Sequence, residues 1–325
     1  MIEISNKKIL FIAPKFYNYH QEIIDYMESN GADVTFFAED IYTPLYRFSN
    51  KIIPKLADSI KKKYIDMIVN DTVKNAYDIV FVIRGGILSP YVMDKIKINL
   101  PNAKYIMYQW DSNNQSKYED IIKYFDIVKT FDREDSKNFN IEYLPLYYSK
   151  KYEDLKYIKK NKLYNIVFFG AYHSDRLEII KQTISFCDKN NLTFNHHLYI
   201  TKMGLFRQLV LGNIKFKDLK LFKTYTLNTS EIIDVYRKSF AILDIELNIQ
   251  NGLTMRTFET LGAGLKLITT NKNIQNEPFY NQQNVMILDR LNYKIDLNFF
   301  KNDFLDDKDF VQYSFKNWFN NLFRE

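Results

Sequence analysis

The chain is organised around the segment Gly252-Leu-Thr-Met-Arg-Thr-Phe-Glu-Thr-Leu-Gly-Ala-Gly264, which Leu265-Lys-Leu-Ile-Thr-Thr270 follows directly. The first segment contains good helix formers, and Phe258 and Leu261 lie three residues apart on one helical face. Two glycines near its end stand where a helix stops, and residues 266–269 are typical of a short buried strand. The sequence therefore predicts a loop, a helix of two to three turns, a glycine stop and a strand.

Charged residues on this predicted helix indicate a binding site for a nucleoside diphosphate. The start of a helix offers unpaired N–H groups and a positive dipole end to an anion. Arg256 can add a planar fork for phosphate oxygens, and Glu259 can accept two hydrogen bonds from a ribose diol. The alternative is an ordinary helix and strand pair with an arginine and a glutamate on its surface.

The same segment resembles the donor-nucleotide motif of GT-B glycosyltransferases, in the bacterial branch that builds capsule and lipopolysaccharide. The resemblance implies that Glu259 contacts the ribose, and that Arg256 and the helix start at Thr254 lie near the diphosphate. Retaining relatives carry two glutamates eight positions apart, whereas this chain has Asn251 eight positions before Glu259. A mechanism that needs both glutamates therefore does not transfer to this chain.

Length and composition indicate two soluble domains. A chain of 325 residues with 46% hydrophobic and 26% charged residues can bury two cores. Its formal net charge of +6 is modest, and the basic residues are scattered, which argues against nucleic-acid binding. Cys187 is the one cysteine, so neither a disulfide nor a cysteine metal site is expected. With no signal-peptide pattern and no long apolar run, we expect a cytoplasmic protein.

The amino-terminal part begins with the alternation of a doubly wound sheet. Lys8 to Ala13 is predicted to be a buried strand, a helix follows from about residue 21 to 30, and residues 32–37 form the next strand. Ligands of such sheets bind at the carboxyl ends of the strands, which is where the loop at 14–20 lies. His20 in this loop is a candidate general base or donor to substrate. Its alternative is an ordinary residue in the first turn of a helix.

Two further strand ends carry candidate residues for the acceptor side. Arg84, Gly85 and Gly86 follow a predicted strand at 77–83, and the glycines allow close approach of a ligand. Trp110 and Asp111 follow the strand at 104–109, where an aspartate can act as a general base. The alternative for Asp111 is a turn or a helix cap. Tyr108-Gln-Trp-Asp-Ser112 also resembles a motif of the same enzymes, which implies that Asp111 is the catalytic base.

Residues 51–69 are predicted to form one basic amphipathic helix. Apolar residues including Ile52, Ile53 and Leu56 occupy one side, and lysines occupy most of the rest. Such a helix can touch a membrane surface or a lipid-linked acceptor. The alternative is a solvated helix face without a partner.

A second candidate phosphate loop follows the predicted strand at 164–169. Gly170-Ala-Tyr-His-Ser-Asp-Arg176 ends at a helix start, so His173, Ser174 and Arg176 can donate hydrogen bonds to phosphate. The loop resembles the Gly-x-x-His-Ser-x-Arg loop of the family; its alternative is a capped turn with a surface arginine. Asp244 and Glu246 are rejected as metal ligands, because the resemblance implies a fold whose enzymes hold diphosphate without a metal. No metal or other cofactor is expected.

Together these patterns predict a GT-B glycosyltransferase of the α/β class with two Rossmann-like domains facing a cleft. Residues 1–148 would form the acceptor domain, joined by a returning helix at 309–325, and residues 149–308 the donor domain. The chain would move a sugar from a nucleotide sugar to a hydroxyl of a surface glycan or a lipid-linked glycan. Two alternatives stay open: a sugar-nucleotide epimerase and a non-catalytic protein that binds nucleotide or glycan.

Overall fold

The structure is a computed structural model that describes residues 2–16, 18–158, 162–247 and 251–324. It divides into two compact units. The first unit contains Met1–Pro145 together with Phe319–Glu325, and the second contains Leu146–Trp318. Each unit is an α/β structure with its own parallel sheet, as the sequence predicts for the fold class.

The sheet of the first unit has six parallel strands among the described residues, in the order β2-β1-β3-β4-β5-β6. The apolar runs of the inner strands β1, β3, β4 and β5 are largely buried on both faces, as expected for a parallel sheet covered by helices. Because β1 lies inside the sheet, the chain winds outward in both directions from it. The strands are β1 Lys8–Ala13, β2 Asp33–Ala38, β3 Ile79–Ile83, β4 Lys104–Gln109, β5 Ile127–Thr130 and β6 Glu142–Tyr143.

Helices connect these strands and begin at residues suited to capping. Thr43 and Ser89 each accept a hydrogen bond from the first turn of the following helix, and each stands before a proline at the first helical position. The helices of this unit are α1 Tyr19–Ser29, α2 Pro44–Ile52, α3 Pro54–Lys74, α4 Pro90–Asn99 and α5 Arg133–Phe139, with a 3-10 helix at Glu119–Tyr124.

The sheet of the second unit also has six parallel strands among the described residues, in the order β12-β11-β10-β7-β8-β9. Its centre is formed by β7 and β10, whose carboxyl ends therefore lie side by side. The strands are β7 Tyr164–Ala171, β8 Phe194–Tyr199, β9 Phe222–Lys223, β10 Ser239–Asp244, β11 Lys266–Thr269 and β12 Val285–Ile287.

The helices of the second unit include one that continues into the first. They are α6 Lys150–Glu153, α7 Arg176–Lys189, α8 Lys202–Val210, α9 Thr229–Arg237, α10 Met255–Gly262 and α11 Phe315–Leu322, which crosses the division after Trp318. Short 3-10 helices lie at Asp154–Tyr157, Phe216–Leu221, Lys272–Asn276, Leu297–Phe300 and Lys308–Tyr313.

The central segment folds as its sequence predicts. Thr254 caps α10, and its hydroxyl accepts a hydrogen bond from the Thr257 N–H. The helix ends at Gly262, and Gly264 adopts the left-handed conformation, with φ of 63°. In this conformation glycine avoids the clash of a Cβ, which explains why the helix stops there. The strand β11 then runs over Lys266–Thr269, the predicted bounds.

Gly262→Ala is expected to destabilise the second unit by about 1–3 kcal/mol. A Cβ at this position would lie 2.4 Å from Cγ of Tyr148, whose ring is buried and stacks on Phe310. This clash outweighs the gain of about 1 kcal/mol in helix propensity. Thermal unfolding measures the effect. In a Tyr148→Ala background the same substitution should cost nothing, and an equal cost in both backgrounds would contradict the explanation.

Two predicted helices differ from the structure. Residues 51–69 do not form a single helix, because Pro54 starts a new one and α2 and α3 meet at Ile53. Residues 309–325 are likewise not one helix, because a 3-10 helix at Lys308–Tyr313 precedes α11. Among the helices of the described residues, none combines the length and the hydrophobicity needed to cross a bilayer.

Candidate functional site

The carboxyl edge of the second sheet is held together by Arg176. Its Nε donates to the carbonyl oxygen of Ile245 at 2.8 Å, and its Nη1 donates to that of Ala171 at 2.8 Å. A Cβ at Gly170 would lie 2.9 Å from Nη1, so glycine makes room for this arginine. The side chain is buried and joins the ends of β7 and β10. Arg176, which the sequence predicted as a phosphate donor, is thus already bonded to backbone carbonyls.

Asp244 fixes the start of α10. This buried carboxylate at the end of β10 accepts a hydrogen bond from the Thr254 hydroxyl at 2.5 Å and one from Nη1 of Arg256 at 3.1 Å. The guanidinium of Arg256 also lies 4.4 Å from the ring centre of Phe169 in β7. Arg256 is therefore held beside the first turn of a helix, where unpaired N–H groups and the dipole favour an anion.

Arg290 is a member of this edge that sequence reasoning missed. Its Nη2 contacts Oε1 of Glu246 at 3.0 Å and the Thr270 hydroxyl at 2.9 Å, and its Nη1 contacts Asp175. It thereby links the loop after β7 to the ends of β10 and β11. A signal was present in the sequence, since Arg290 and Glu246 both stand within three residues of the carboxyl end of a strand, β12 and β10 respectively.

The loop after β7 experiences the positive potential of these arginines. The pKa of His173 is lowered to about 4, mainly by burial and secondly by the positive charge of Arg176. Its Nδ1 lies 3.2 Å from the Ser174 hydroxyl, and Ser174 itself has a positive φ of 48°. Burial and the neighbouring Arg256 also lower the pKa of Arg176 to about 10. An added anion would relieve this mutual repulsion, so the edge is suited to phosphate.

Glu259 lies in the interior of the second unit. It is 4% exposed, and the Tyr236 hydroxyl donates to its Oε2 at 3.5 Å. Tyr152 also contacts this carboxylate. The pKa of Tyr152 is raised, mainly by burial and secondly by the negative charge of Glu259. The structure thus gives Glu259 two tyrosine neighbours, and the ribose contact stays a prediction.

The carboxyl edge of the first sheet carries an acidic cluster: Glu39, Asp40 and Asp111 around Arg84. The Nε of Arg84 lies 3.0 Å from both carboxylate oxygens of Glu39, and its Nη2 lies 2.9 Å from Asp40. Its Nη1 lies 3.5 Å from Asp111. Arg84 has a positive φ of 71°, a strained backbone conformation for a residue other than glycine.

Burial changes the acidity of this cluster. It raises the pKa of Glu39 to about 7, against the opposing effect of Arg84, and it also raises the pKa of Asp111. A carboxylate with a raised pKa is a better general base near neutral pH. The arrangement is therefore chemically suited to the role predicted for Asp111. Glu39 and Asp40 were missed, although they directly follow the observed strand β2.

The two glycines predicted on the acceptor side contribute backbone geometry. Gly85 has φ of 78°, and the N–H of Gly86 donates to Oε1 of Glu39. A Cβ at Gly86 would lie 2.5 Å from that oxygen, so the contact requires glycine. Trp110 directly follows β4 and is half-buried. These residues therefore lie at the same edge as Asp111, and their contact with an acceptor stays a prediction.

His20 lies apart from the acidic cluster. It belongs to α1, and its ring stacks on Phe36 in β2 with 5.3 Å between ring centres. The pKa of His20 is lowered, mainly by burial and secondly by the positive charge of Lys15. No hydrogen bond or ion pair of the described residues joins it to Arg84 or Asp111. Its catalytic role stays a prediction, without a contact to the other candidates.

Glu39→Gln is expected to remove a pH dependence of stability. Since the pKa of Glu39 is about 7 in the folded protein and ordinarily 4.5, its stabilising contribution is present below about pH 4.5 and is lost as pH rises through 7. Relative to wild type, the free energy of unfolding of the variant should rise by on the order of 2–3 kcal/mol between the two ends of this pH range. Thermal unfolding at both ends of the range measures it, with Asp40→Asn as the half-exposed control. A difference between Glu39→Gln and wild type that does not change with pH would contradict the prediction.

The two carboxylates that the sequence raises as possible metal ligands are bonded to arginines. Within the described ranges, no three His, Cys, Asp or Glu side chains converge in a way that could hold a metal ion. Asp244 and Glu246 instead pair with Arg256 and Arg290. The charges of these carboxylates are thus already balanced by guanidinium groups.

Comparison with known proteins defines the class of fold. No protein-family model and no curated protein sequence matches the chain. Among solved structures, the lipopolysaccharide outer core galactosyltransferase WaaB is similar, with a TM-score of 0.58 and 13% identity over 97% of this chain and 98% of that one. A glycosyltransferase from Rickettsia africae ESF-5 has a TM-score of 0.55 and 15% identity over 88% and 85%.

A third similar structure is the catalytic domain of starch synthase IV from Arabidopsis thaliana, bound to ADP and acarbose. Its TM-score is 0.50, with 8% identity over 98% of this chain and 94% of that one. These likenesses span nearly the whole chain and both of its sheets. The chain therefore has the GT-B fold, as the resemblance predicted.

Proposed function

We propose that this chain is a glycosyltransferase that moves a sugar from a nucleotide sugar to a hydroxyl of a surface-glycan precursor. The observation that carries the proposal is the pairing of buried Asp244 with Arg256 at the start of α10. Because of this pairing, the guanidinium of Arg256 lies beside the start of α10, where the helix dipole attracts phosphate. The helix start itself lies at the carboxyl edge of a GT-B sheet. The similar starch synthase is bound to a nucleoside diphosphate, ADP.

The donor diphosphate is proposed to bind between the first turn of α10 and the loop after β7. Arg256 would contact its oxygens, and His173 and Ser174 would donate further hydrogen bonds. Arg176 and Arg290 would keep the loop and strand ends in place, since their guanidinium groups already bind protein oxygens. Stabilisation of the departing diphosphate by such fixed donors is usually the largest electrostatic contribution in transfer reactions. No metal ion is required in this proposal.

The acceptor is proposed to be a glycan or a lipid-linked glycan, with Asp111 as the general base. Asp111 would take the proton of the attacking hydroxyl, which becomes nucleophilic as its O–H bond breaks. Arg84, held by Glu39 and Asp40, would keep the Asp111 carboxylate in position. The proposed compartment is the cytoplasm, in keeping with the one buried thiol, Cys187.

Release of nucleotide from a panel of nucleotide sugars tests this function. UDP-, GDP-, CDP-, ADP- and dTDP-sugars are incubated with the full chain, with and without a glycan acceptor, and with either Mg²⁺ or EDTA. We expect one donor class to release nucleotide in an acceptor-dependent manner in EDTA. Acceptor-independent conversion to an epimerised sugar would identify an epimerase instead. Binding without turnover of any donor would identify a non-catalytic protein, and a requirement for Mg²⁺ would contradict the metal-free mechanism.

A further inference from the structure

The helix α8 packs two partly buried leucines against the core of the second unit and exposes a second apolar face. Met203, Phe206 and Val210 follow the i, i+3, i+7 spacing of one helical face, yet they are 80, 68 and 70% exposed. No residue of α8 is buried. Two more large apolar residues, Leu211 and Phe216, are exposed directly after it. Together these five apolar residues define the α8 surface.

An exposed apolar surface of this kind is typical of an interaction site. Surface helices normally turn such a stripe toward the core, because burial of a large apolar side chain stabilises by about 1.5–3 kcal/mol. Contiguous exposed apolar patches on soluble proteins usually mark interaction sites. The exposed apolar face of α8 is therefore a candidate interaction surface.

The positive charge of the α8 surface indicates which kind of partner it fits. Residues 201–217 contain four cations, Lys202, Arg207, Lys215 and Lys217, and no aspartate or glutamate. All four are exposed. A second copy of the chain would present the same positive charge to a symmetric contact, and like charges disfavour that pairing. An anionic lipid surface offers both a negative charge and an apolar interior.

The helix α2 in the first unit independently exposes an apolar face. Leu45, Phe48 and Ile52 also follow the i, i+3, i+7 spacing and are 57, 56 and 62% exposed, whereas Ser49 of the same helix is fully buried. Exposed lysines lie on and after this helix, at Lys51 and Lys55. These apolar and basic residues define the α2 surface.

We propose that the chain docks on anionic lipid membranes through the α8 surface and the α2 surface. The apolar side chains of each surface enter the interface between headgroups and acyl chains, while the lysines and arginines contact lipid phosphates. The sequence suggested membrane contact only for residues 51–69. The α8 surface is a separate docking element on the other unit, and the proposal does not depend on the glycosyltransferase activity.

Vesicle co-sedimentation of the full chain tests the proposal. The probes are vesicles of phosphatidylcholine alone and vesicles with about one-third phosphatidylglycerol. We expect binding to the anionic vesicles only, weakened by about 0.5 M salt because screening shortens the reach of the lysines. Met203→Ser/Phe206→Ser and Leu45→Ser/Phe48→Ser should each reduce binding about tenfold or more. Lys202→Glu/Arg207→Glu should reduce it by at least roughly fivefold for each residue replaced, because each loses a positive charge and gains a negative one.

The matched control is Ile98→Ser, which removes an apolar side chain that is 78% exposed on α4, outside both surfaces. It should bind vesicles like wild type, and all variants should keep the wild-type Tm because their side chains are exposed. No binding to anionic vesicles, equal binding to neutral ones, or wild-type binding by both double serine variants would overturn the proposal. A dimer that Phe206→Ser converts to a monomer would instead identify the α8 surface as a protein interface.

Discussion

Replacement of Asp244 by alanine is expected to lower the free energy of unfolding of the second unit by about 3–5 kcal/mol. Asp244 is 1% exposed and accepts hydrogen bonds from both Thr254 and Arg256. Its removal leaves the guanidinium of Arg256 beside Phe169 without its carboxylate and frees the hydroxyl that caps α10. Because breaking one partner of a buried ion pair leaves the other charge uncompensated, the loss should exceed that of most single substitutions.

Thermal and urea unfolding of Asp244→Ala measure this loss. The matched control is Asp234→Asn, which removes a carboxylate paired with Lys238 on the surface of α9. An exposed pair of this kind contributes at most about 1 kcal/mol, so the control should unfold nearly as wild type does. A similar change in both variants would show that Asp244 and Arg256 are not coupled in the way the structure shows.

Replacement of Asp111 by asparagine is expected to reduce kcat by about 10²–10⁴ while leaving the affinity for the nucleoside diphosphate unchanged. Asparagine keeps the shape of the side chain and a contact to Arg84, but it cannot accept the proton of the acceptor hydroxyl. The donor nucleotide is proposed to bind the other unit, which the substitution does not touch. Steady-state kinetics and nucleotide titrations separate the two effects.

The control for this experiment is Asp94→Asn in α4, whose exposed carboxylate accepts a hydrogen bond from Tyr124. It should leave both kcat and nucleotide affinity unchanged. Equal loss of turnover in both variants, or full activity of Asp111→Asn, would remove Asp111 from the proposed mechanism. A falling kcat together with a weaker nucleotide affinity would point to a disturbed fold.

Local sequence pattern was enough to place the inner strands and the central helix. The strands β1, β4 and β11 have the predicted bounds, because each is an apolar run buried on both faces. The end of α10 was likewise predictable, since glycine at 264 adopts a backbone conformation that other residues resist. These features depend on neighbours in the chain.

Pairings between distant residues could not be predicted in this way. Arg84 and Glu39 are 45 residues apart, and Arg290 and Glu246 are 44 apart. The sequence indicated polar residues behind strands, but which of them meet depends on strand order and side-chain direction. For the same reason the sequence indicated Arg176 as a donor to phosphate without indicating its hydrogen bonds to the carbonyls of Ala171 and Ile245.

Amphipathic pattern was also insufficient to decide which helix face is buried. The sequence placed Ile52, Ile53 and Leu56 on the apolar side of one helix, and that side suggested contact with a membrane or a lipid-linked acceptor, or a solvated face. In the structure Pro54 separates two helices, and all three residues are exposed. An apolar stripe has the same sequence period whether it faces the core or a partner, so periodicity alone does not distinguish the two.

Isothermal titration of nucleoside diphosphates into wild type and Arg256→Gln tests the central claim most directly. The claim is that the start of α10, with Arg256 fixed by Asp244, binds the donor diphosphate. UDP, GDP, CDP, ADP and dTDP are titrated in EDTA. We predict that at least one of them binds wild type, and that Arg256→Gln weakens this binding about 10- to 100-fold through the loss of a charged hydrogen bond. Absence of binding by all five, or equal affinity of the two proteins, would contradict the claim.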